Sequence, residues 1–71
     1  MADVNAPMPG KICEVKVSPG DAVLEDQEVL VLEAMKMEMP IVATAAGTVK
    51  SVNCSEGDAV QGGDLLLVID G

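Results

Sequence analysis

The chain has no phenylalanine, tryptophan, tyrosine, histidine or arginine among its 71 residues. Without aromatics, the 49% apolar fraction is built from Val, Leu, Ile, Met, Ala and two cysteines. A core of such side chains gains about 1.5–3 kcal/mol for each fully buried Val or Leu. Ordering each residue costs about 1.5 kcal/mol, so a compact fold with short loops is required. Without histidine, and with Cys13 and Cys54 far apart rather than in a C-x-x-C spacing, a zinc site is not indicated. The cysteines are expected to serve as small buried hydrophobes. Without arginine, and with Lys11, Lys16, Lys36 and Lys50 scattered among twelve acidic residues, no basic stripe exists to release counterions from a nucleic-acid backbone. The net charge of −8 instead favours partners with a basic face. No apolar run approaches the roughly 20 residues that span a bilayer. The segment Met1-Ala2-Asp3-Val4-Asn5 lacks the basic stretch and apolar core of a signal peptide. A cytoplasmic, reduced protein with no membrane span of its own is the expectation.

What the chain does have is a repeat. A shift of 37 positions lays Gly10 on Gly47, Ser18-x-Gly20-Asp21-Ala22-Val23 on Ser55-x-Gly57-Asp58-Ala59-Val60, and Leu30-Val31 on Leu67-Val68. The length allows one small domain, 1–71, containing two similar units at about 4–34 and 41–71. Met35 to Pro40 are left between them. A repeat reports architecture, so the residues without a counterpart are the natural candidates for function.

Each unit reads as strands and turns. Val29-Leu30-Val31-Leu32 and Leu65-Leu66-Leu67-Val68-Ile69 are continuous apolar runs, too short for stable helices and bounded by turn residues, which is the pattern of buried strands. Ser18-Pro19-Gly20-Asp21 and Ser55-Glu56-Gly57-Asp58 are turn signals, and their symmetric Asp21 and Asp58 point to turn chemistry rather than catalysis. Ile12, Val15 and Val17, like Val49, Val52 and Cys54, are spaced three and then two apart. A regular strand cannot turn all three inward, so a β-bulge or bend is expected at the same place in both units. No segment carries sustained helical spacing, and Pro7, Pro9, Pro19 and Pro40 interrupt the chain. The fold class is all-β. Neither unit can bury its apolar face alone, so the two should pack about an approximate two-fold axis, with Lys36 on a turn opposite the chain termini.

Lys36 lies in Glu33-Ala34-Met35-Lys36-Met37-Glu38, between the matching repeats. Alone, it is an ordinary solvated lysine. In this setting Ala34-Met35-Lys36-Met37 resembles the attachment sequence of the biotinyl domains, the biotin carboxyl carrier family, in which biotin is joined by an amide to the lysine of A-M-K-M. The resemblance covers nearly the whole chain, including the quasi-repeat, the Gly-Asp turn of each half and the lead-in Ala6-Pro7-Met8-Pro9-Gly10. It implies a flattened barrel-sandwich hybrid with the modified lysine on a hairpin turn.

The resemblance further implies covalent biotin on Lys36. A biotin protein ligase presents biotinyl-adenylate, and the deprotonated lysine amine attacks its acyl carbon. Met35 and Met37, long and adaptable, together with Ala34 and Glu33, are then the positions that the ligase and later partners read. The bland alternative for the methionines is that they plug the ends of the sandwich; for Glu33 and Glu38 it is a solvated strand end. The implied partners are biotin carboxylase and carboxyltransferase or decarboxylase domains or subunits, between which the ureido nitrogen of tethered biotin carries a carboxyl group. The cofactor supplies the difficult chemistry, and the tether raises its effective concentration at the second site.

Two rivals remain. A lipoyl domain has a similar two-fold sandwich but commonly a D-K-A setting, where this chain has Met35 and Met37 as the neighbours of Lys36. An unmodified adaptor of the same shape would leave Lys36 without a task. An enzyme in its own right is the least supported reading, for there is no phosphate loop, metal cluster or nucleophile–base pairing. Gly20 to Val29 matches Gly57 to Leu66 without insertion, leaving no room for the protruding thumb of some acetyl-CoA carboxylase carriers. The chain looks more like the carriers of transcarboxylases, decarboxylases and acyl-CoA or pyruvate carboxylases, either as a trimmed domain or as a free small subunit.

Overall fold

Eight strands and no helix make up the regular structure of the computed structural model, which describes residues 1–71. In chain order they are β1 (Ala2–Asn5), β2 (Gly10–Val15), β3 (Ala22–Val23), β4 (Glu28–Ala34), β5 (Met37–Val42), β6 (Gly47–Val52), β7 (Ala59–Val60) and β8 (Leu65–Asp70). They form two antiparallel four-stranded sheets, ordered β1-β8-β6-β3 and β5-β4-β2-β7.

The sheets are copies of each other under the 37-residue shift, with β2, β3 and β4 corresponding to β6, β7 and β8, and β5 corresponding to β1. Leu30 faces Ile41 and Val31 faces Pro40 in one sheet, as Leu67 faces Val4 and Val68 faces Asp3 in the other. The copies interlock. β3 of the first half pairs with β6 of the second, and β7 of the second pairs with β2 of the first. The amides of Gly20 and Val49 donate to the carbonyls of Val49 and Asp21, and those of Gly57 and Ile12 donate to the carbonyls of Ile12 and Asp58, all at 2.7–2.8 Å. Each half therefore completes the sheet of the other, and neither has its full complement of backbone partners alone.

The expected bulges are present at corresponding places. Register slips between Ile12 and Glu14 against β4, and between Val49 and Ser51 against β8, so Cys13 and Lys50 are the extra residues. After each bulge the chain turns Val17 and Cys54 into the core, while Val15 and Val52 pack against it partly buried. Cys54 is a buried small hydrophobe as expected, but Cys13 is only half-buried. The reason is its place: a bulged residue leaves the regular alternation that would have turned it inward or outward. A second irregularity, between Glu28 and Leu30, lets the successive residues Val29 and Leu30 both be fully buried, and Leu66 and Leu67 repeat this beside the slip between Val4 and Asn5. The apolar runs are otherwise one-sided, with Val31 and Val68 half-buried and Leu65 exposed, because each sheet has solvent on its outer face.

The core consists of aliphatic side chains with Cys54, and no polar or charged residue is buried. Ile12, Leu30, Leu32, Leu66, Leu67 and Ile69 are its largest fully enclosed members, each contributing about 1.5–3 kcal/mol by burial. The turns are closed by short side chains, as the repeat implied. Oδ2 of Asp21 accepts from the Ser18 amide and Oδ2 of Asp58 from the Ser55 amide, both at 2.8 Å. Gly20 and Gly57 sit beside them at φ +98° and +90°, a region open to glycine at little cost.

Candidate functional site

β4 and β5 form a hairpin whose last pair is Ala34 with Met37, leaving Met35 and Lys36 as a two-residue turn. Both turn residues have positive φ, 54° and 66°, as a type I′ connection requires at its two central positions. Asn-Gly is the usual solution. A bulky L-residue in this region costs about 1–2 kcal/mol. Of the other positive-φ positions, Gly20, Gly57 and Gly63 carry glycine, and the remaining one, at φ 69°, carries Asp26, a short polar residue type that visits this region more readily than methionine or lysine. The turn thus holds two strained side chains where glycine would relieve the strain, which marks the side chains themselves as the reason for the sequence.

Lys36 is exposed, and its amine makes no hydrogen bond or ion pair. The molecule's one salt bridge joins Lys16 to Glu28 at 3.2 Å on the surface. Met35 is 89% exposed and Met37 68% exposed, so neither plugs the sandwich; that role falls to the half-buried Met8 and Met39, which pack on the core. Ala34 is buried. An exposed, unpaired amine flanked by two solvated thioethers therefore stands at the end of a well-paired ribbon.

Behind the turn, Glu33 pairs in register with Glu38 on one side and with Lys11 on the other. Both glutamates are exposed, and no ion pair closes between Lys11 and Glu33. Two carboxylates directly opposite each other repel, so the base of the turn carries a concentrated negative charge. Its field reaches the bulge, where burial and then the Glu33 and Glu38 charges raise the Cys13 thiol above its ordinary value.

Gly10 is a positioning residue that the sequence pattern aligned with Gly47 without explaining. A Cβ on Gly10 would lie 2.5 Å from the Glu33 carbonyl oxygen and 3.0 Å from the Leu32 side chain, while one on Gly47 would lie 2.6 Å from the Asp70 carbonyl oxygen. Each glycine lets its strand approach the neighbour closely, and for Gly10 that neighbour is the stem of the Lys36 turn. The recurrence of a glycine at the start of both β2 and β6, outside any turn signal, was the available clue.

Chain topology sets the turn apart from the ends of the molecule. β1 and β8 carry the termini and occupy, on the other sheet, the place that β5 and β4 occupy around Lys36. The largest groove, about 380 Å³, lies where the two copies meet and is lined by Val15, Val17, Val52 and Cys54 with their neighbouring turns. It is removed from the turn, for Val15 pairs with Leu30 whereas Lys11 pairs with Glu33. No group of three His, Cys, Asp or Glu side chains is placed to hold a metal ion. No helix is long and apolar enough to cross a membrane.

An all-β sandwich of two interlocked copies thus presents an exposed, unpaired Lys36 on a strained hairpin turn. Residues 2–69 match the family described as "Biotin-requiring enzyme", and the chain belongs to that family as a biotin carrier domain. It is 52% identical over 67 residues to the propionyl-CoA carboxylase alpha chain of Homo sapiens, a match covering 94% of this chain and 9% of that one. It is 53% identical over 64 residues to the biotin carboxyl carrier protein of Streptococcus mutans, covering 90% of this chain and 49% of that one. Among solved structures, the urea carboxylase of Kluyveromyces lactis superposes with a TM-score of 0.91 at 33% identity, over 97% of this chain and 6% of that one. The chain thus spans under a tenth of the large carboxylases it matches and about half of the bacterial carrier.

Proposed function

We propose that Lys36 is the residue to which biotin is attached, and that the loaded chain carries a carboxyl group between active sites contributed by other domains or subunits of a biotin-dependent carboxylase, decarboxylase or transcarboxylase. The observation that carries this reading is the free amine of Lys36 at the tip of a turn whose two side chains are kept at positive φ despite the strain. The site fits the cofactor: the amine is exposed and unpaired, and an amide bond to it requires no cavity in this chain.

The chain's own residues do three things. The Lys36 amine, once deprotonated in a ligase active site, attacks the acyl carbon of biotinyl-adenylate; the C–N bond forms as the adenylate leaves. Met35 and Met37 present an apolar, adaptable surface to the ligase and to later partners. Glu33 supplies a carboxylate beside them that can meet a basic group. Attachment removes the lysine charge, taking the chain from −8 to −9, so the tip itself becomes easier to desolvate. Attached biotin supplies the ureido nitrogen that takes up and releases the carboxyl group. This chain offers the tether and the recognition surface rather than catalytic groups.

The lipoyl reading is weaker. One named relative is a biotin carboxyl carrier protein and the other a carboxylase chain, and the turn sets methionines on each side of Lys36. The test of carriage is to biotinylate the chain, incubate it with a biotin carboxylase, ATP and labelled bicarbonate, and follow label into the chain. Label entering the biotinylated chain and absent from the unmodified one is expected. No label in chain shown to be biotinylated would contradict the carrier role.

A further inference from the structure

Five methionines are present, and the fold sorts them sharply. Met8 and Met39 are half-buried against the core, whereas Met1, Met35 and Met37 are 80%, 89% and 68% exposed. With no aromatic ring in the sequence, none of these sulfurs has a π system to pack against. The thiols compete poorly as targets of oxidants. Cys54 is buried and Cys13 half-buried, and burial, followed by nearby carboxylate charge, raises both above their ordinary value, so little of the reactive thiolate forms near neutral pH. Apart from Met1, the most accessible sulfurs of the molecule are the two that bracket Lys36.

We propose that Met35 and Met37 form an oxidative modification site: a peroxide converts their thioethers to sulfoxides, and the oxidised turn is a poor acceptor for attachment at Lys36. The inference rests on the biotin-carrier reading. In the step itself, a sulfur lone pair attacks one peroxide oxygen, the S–O bond forms and the O–O bond breaks. The leaving oxygen keeps the electron pair of that bond and receives the proton of the transferred oxygen, giving water from hydrogen peroxide or an alcohol from an alkyl peroxide. Sulfur is oxidised by two electrons and the peroxide is reduced by two.

The product changes what the turn offers. A thioether is apolar and conforms to an apolar surface, whereas a sulfoxide is polar, chiral and a hydrogen-bond acceptor. Enclosing it against an apolar ligase surface without a donor carries a desolvation cost, expected to appear as a roughly tenfold or greater loss in the rate of attachment. The fold is spared because neither side chain belongs to the core. The sulfoxides remain reducible by methionine sulfoxide reductases, so the change is reversible.

The test treats the unmodified chain with hydrogen peroxide, removes the oxidant with catalase, maps sulfoxides by peptide mass spectrometry and then measures biotin gain with ligase, ATP and biotin. Met35 and Met37 are expected to oxidise ahead of Met8 and Met39, with an unchanged melting curve, a biotinylation rate reduced about tenfold or more, and recovery after reductase treatment. The double variant Met35→Leu/Met37→Leu, whatever its starting rate, should show the same rate before and after peroxide. Equal rates for oxidised and native chain, uniform oxidation of all five methionines, or a loss that persists in the double variant would each overturn the inference. An untreated chain that gains no biotin fails the carrier reading and this inference with it, whereas gain that peroxide leaves untouched overturns this inference alone.

Discussion

Glu33 and Glu38 are register partners across β4 and β5, one pair back from the Ala34–Met37 pair that closes the Lys36 turn. The two carboxylates stand side by side on the surface with no cation bonded to either. The hairpin is thereby less stable than its pairing allows, and its charge is free to meet a basic partner.

Glu38→Gln should raise stability by about 0.2–1 kcal/mol by removing the cross-strand repulsion. The gain should shrink with added salt, because the charges are exposed. Denaturant midpoints at low and high ionic strength check both points. Glu33→Gln should give a similar gain in stability but also slow biotinylation, since Glu33 is the carboxylate assigned to recognition. Equal biotinylation rates for the two variants would remove Glu33 from that role.

At the turn tip, strain and attachment separate by substitution. Lys36→Ala keeps a Cβ at positive φ and should fold with little change in stability. Lys36→Gly relieves the strain, offset by the greater freedom of glycine in the unfolded chain, and should match or exceed the parent by up to about 1 kcal/mol. Both should accept no biotin. Thermal melts and intact mass check this pair, and a Lys36→Gly variant that fails to fold would show the lysine to be structural.

The close strand approach behind the turn is equally accessible. Gly10→Ala places a methyl group 2.5 Å from the Glu33 carbonyl oxygen and against Leu32, so β2 or β4 must shift. A loss of about 1–3 kcal/mol is expected, with amide-exchange protection in β4 lost first near Glu33. Gly47→Ala should cost a similar amount while leaving the exchange of the turn stem unchanged, because its clash is with Asp70 and Gly71.

Alkaline stability should report Cys54. Burial and then the Asp58 charge raise its thiol above the ordinary 9.0. As pH rises past 9.0 the unfolded chain loses this proton first while the folded chain keeps it, so the unfolded state binds fewer protons and stability falls. The contribution is complete below the ordinary value and lost as pH rises through the raised one. Cys54→Val, which copies Val17 at the corresponding place in the first half, should melt with a shallower decline as pH rises past 9.0. Identical pH profiles for the two would contradict the burial of this thiol in solution.

Much of the fold was legible because the chain states it twice. The paired bulges followed from the three-then-two spacing after Ile12 and Val49, and the Asp21 and Asp58 turns followed from their Ser-x-Gly-Asp settings. Lys36 stood out as the residue lacking a counterpart. Other features depended on pairing across the halves, which no local spacing reports. The exchange of β3 and β7 between sheets is set by contacts some 25 to 50 residues apart in sequence. The half-burial of Cys13 came from its being the bulged residue itself, where inward and outward positions lose their meaning. The opposition of Glu33 to Glu38 needed the two-residue turn to fix the register, and neither Met35 nor Lys36 is a residue type that announces positive φ.

The attachment of biotin to Lys36 is tested most directly by intact mass before and after incubation with biotin protein ligase, ATP and biotin, with peptide mapping and the Lys36→Arg variant run alongside. One biotinyl group on the parent chain, confined to Lys36 and absent from the variant, is the expected result. No gain by folded, initially unmodified chain, or a biotinyl group that persists in the variant, would contradict the assignment.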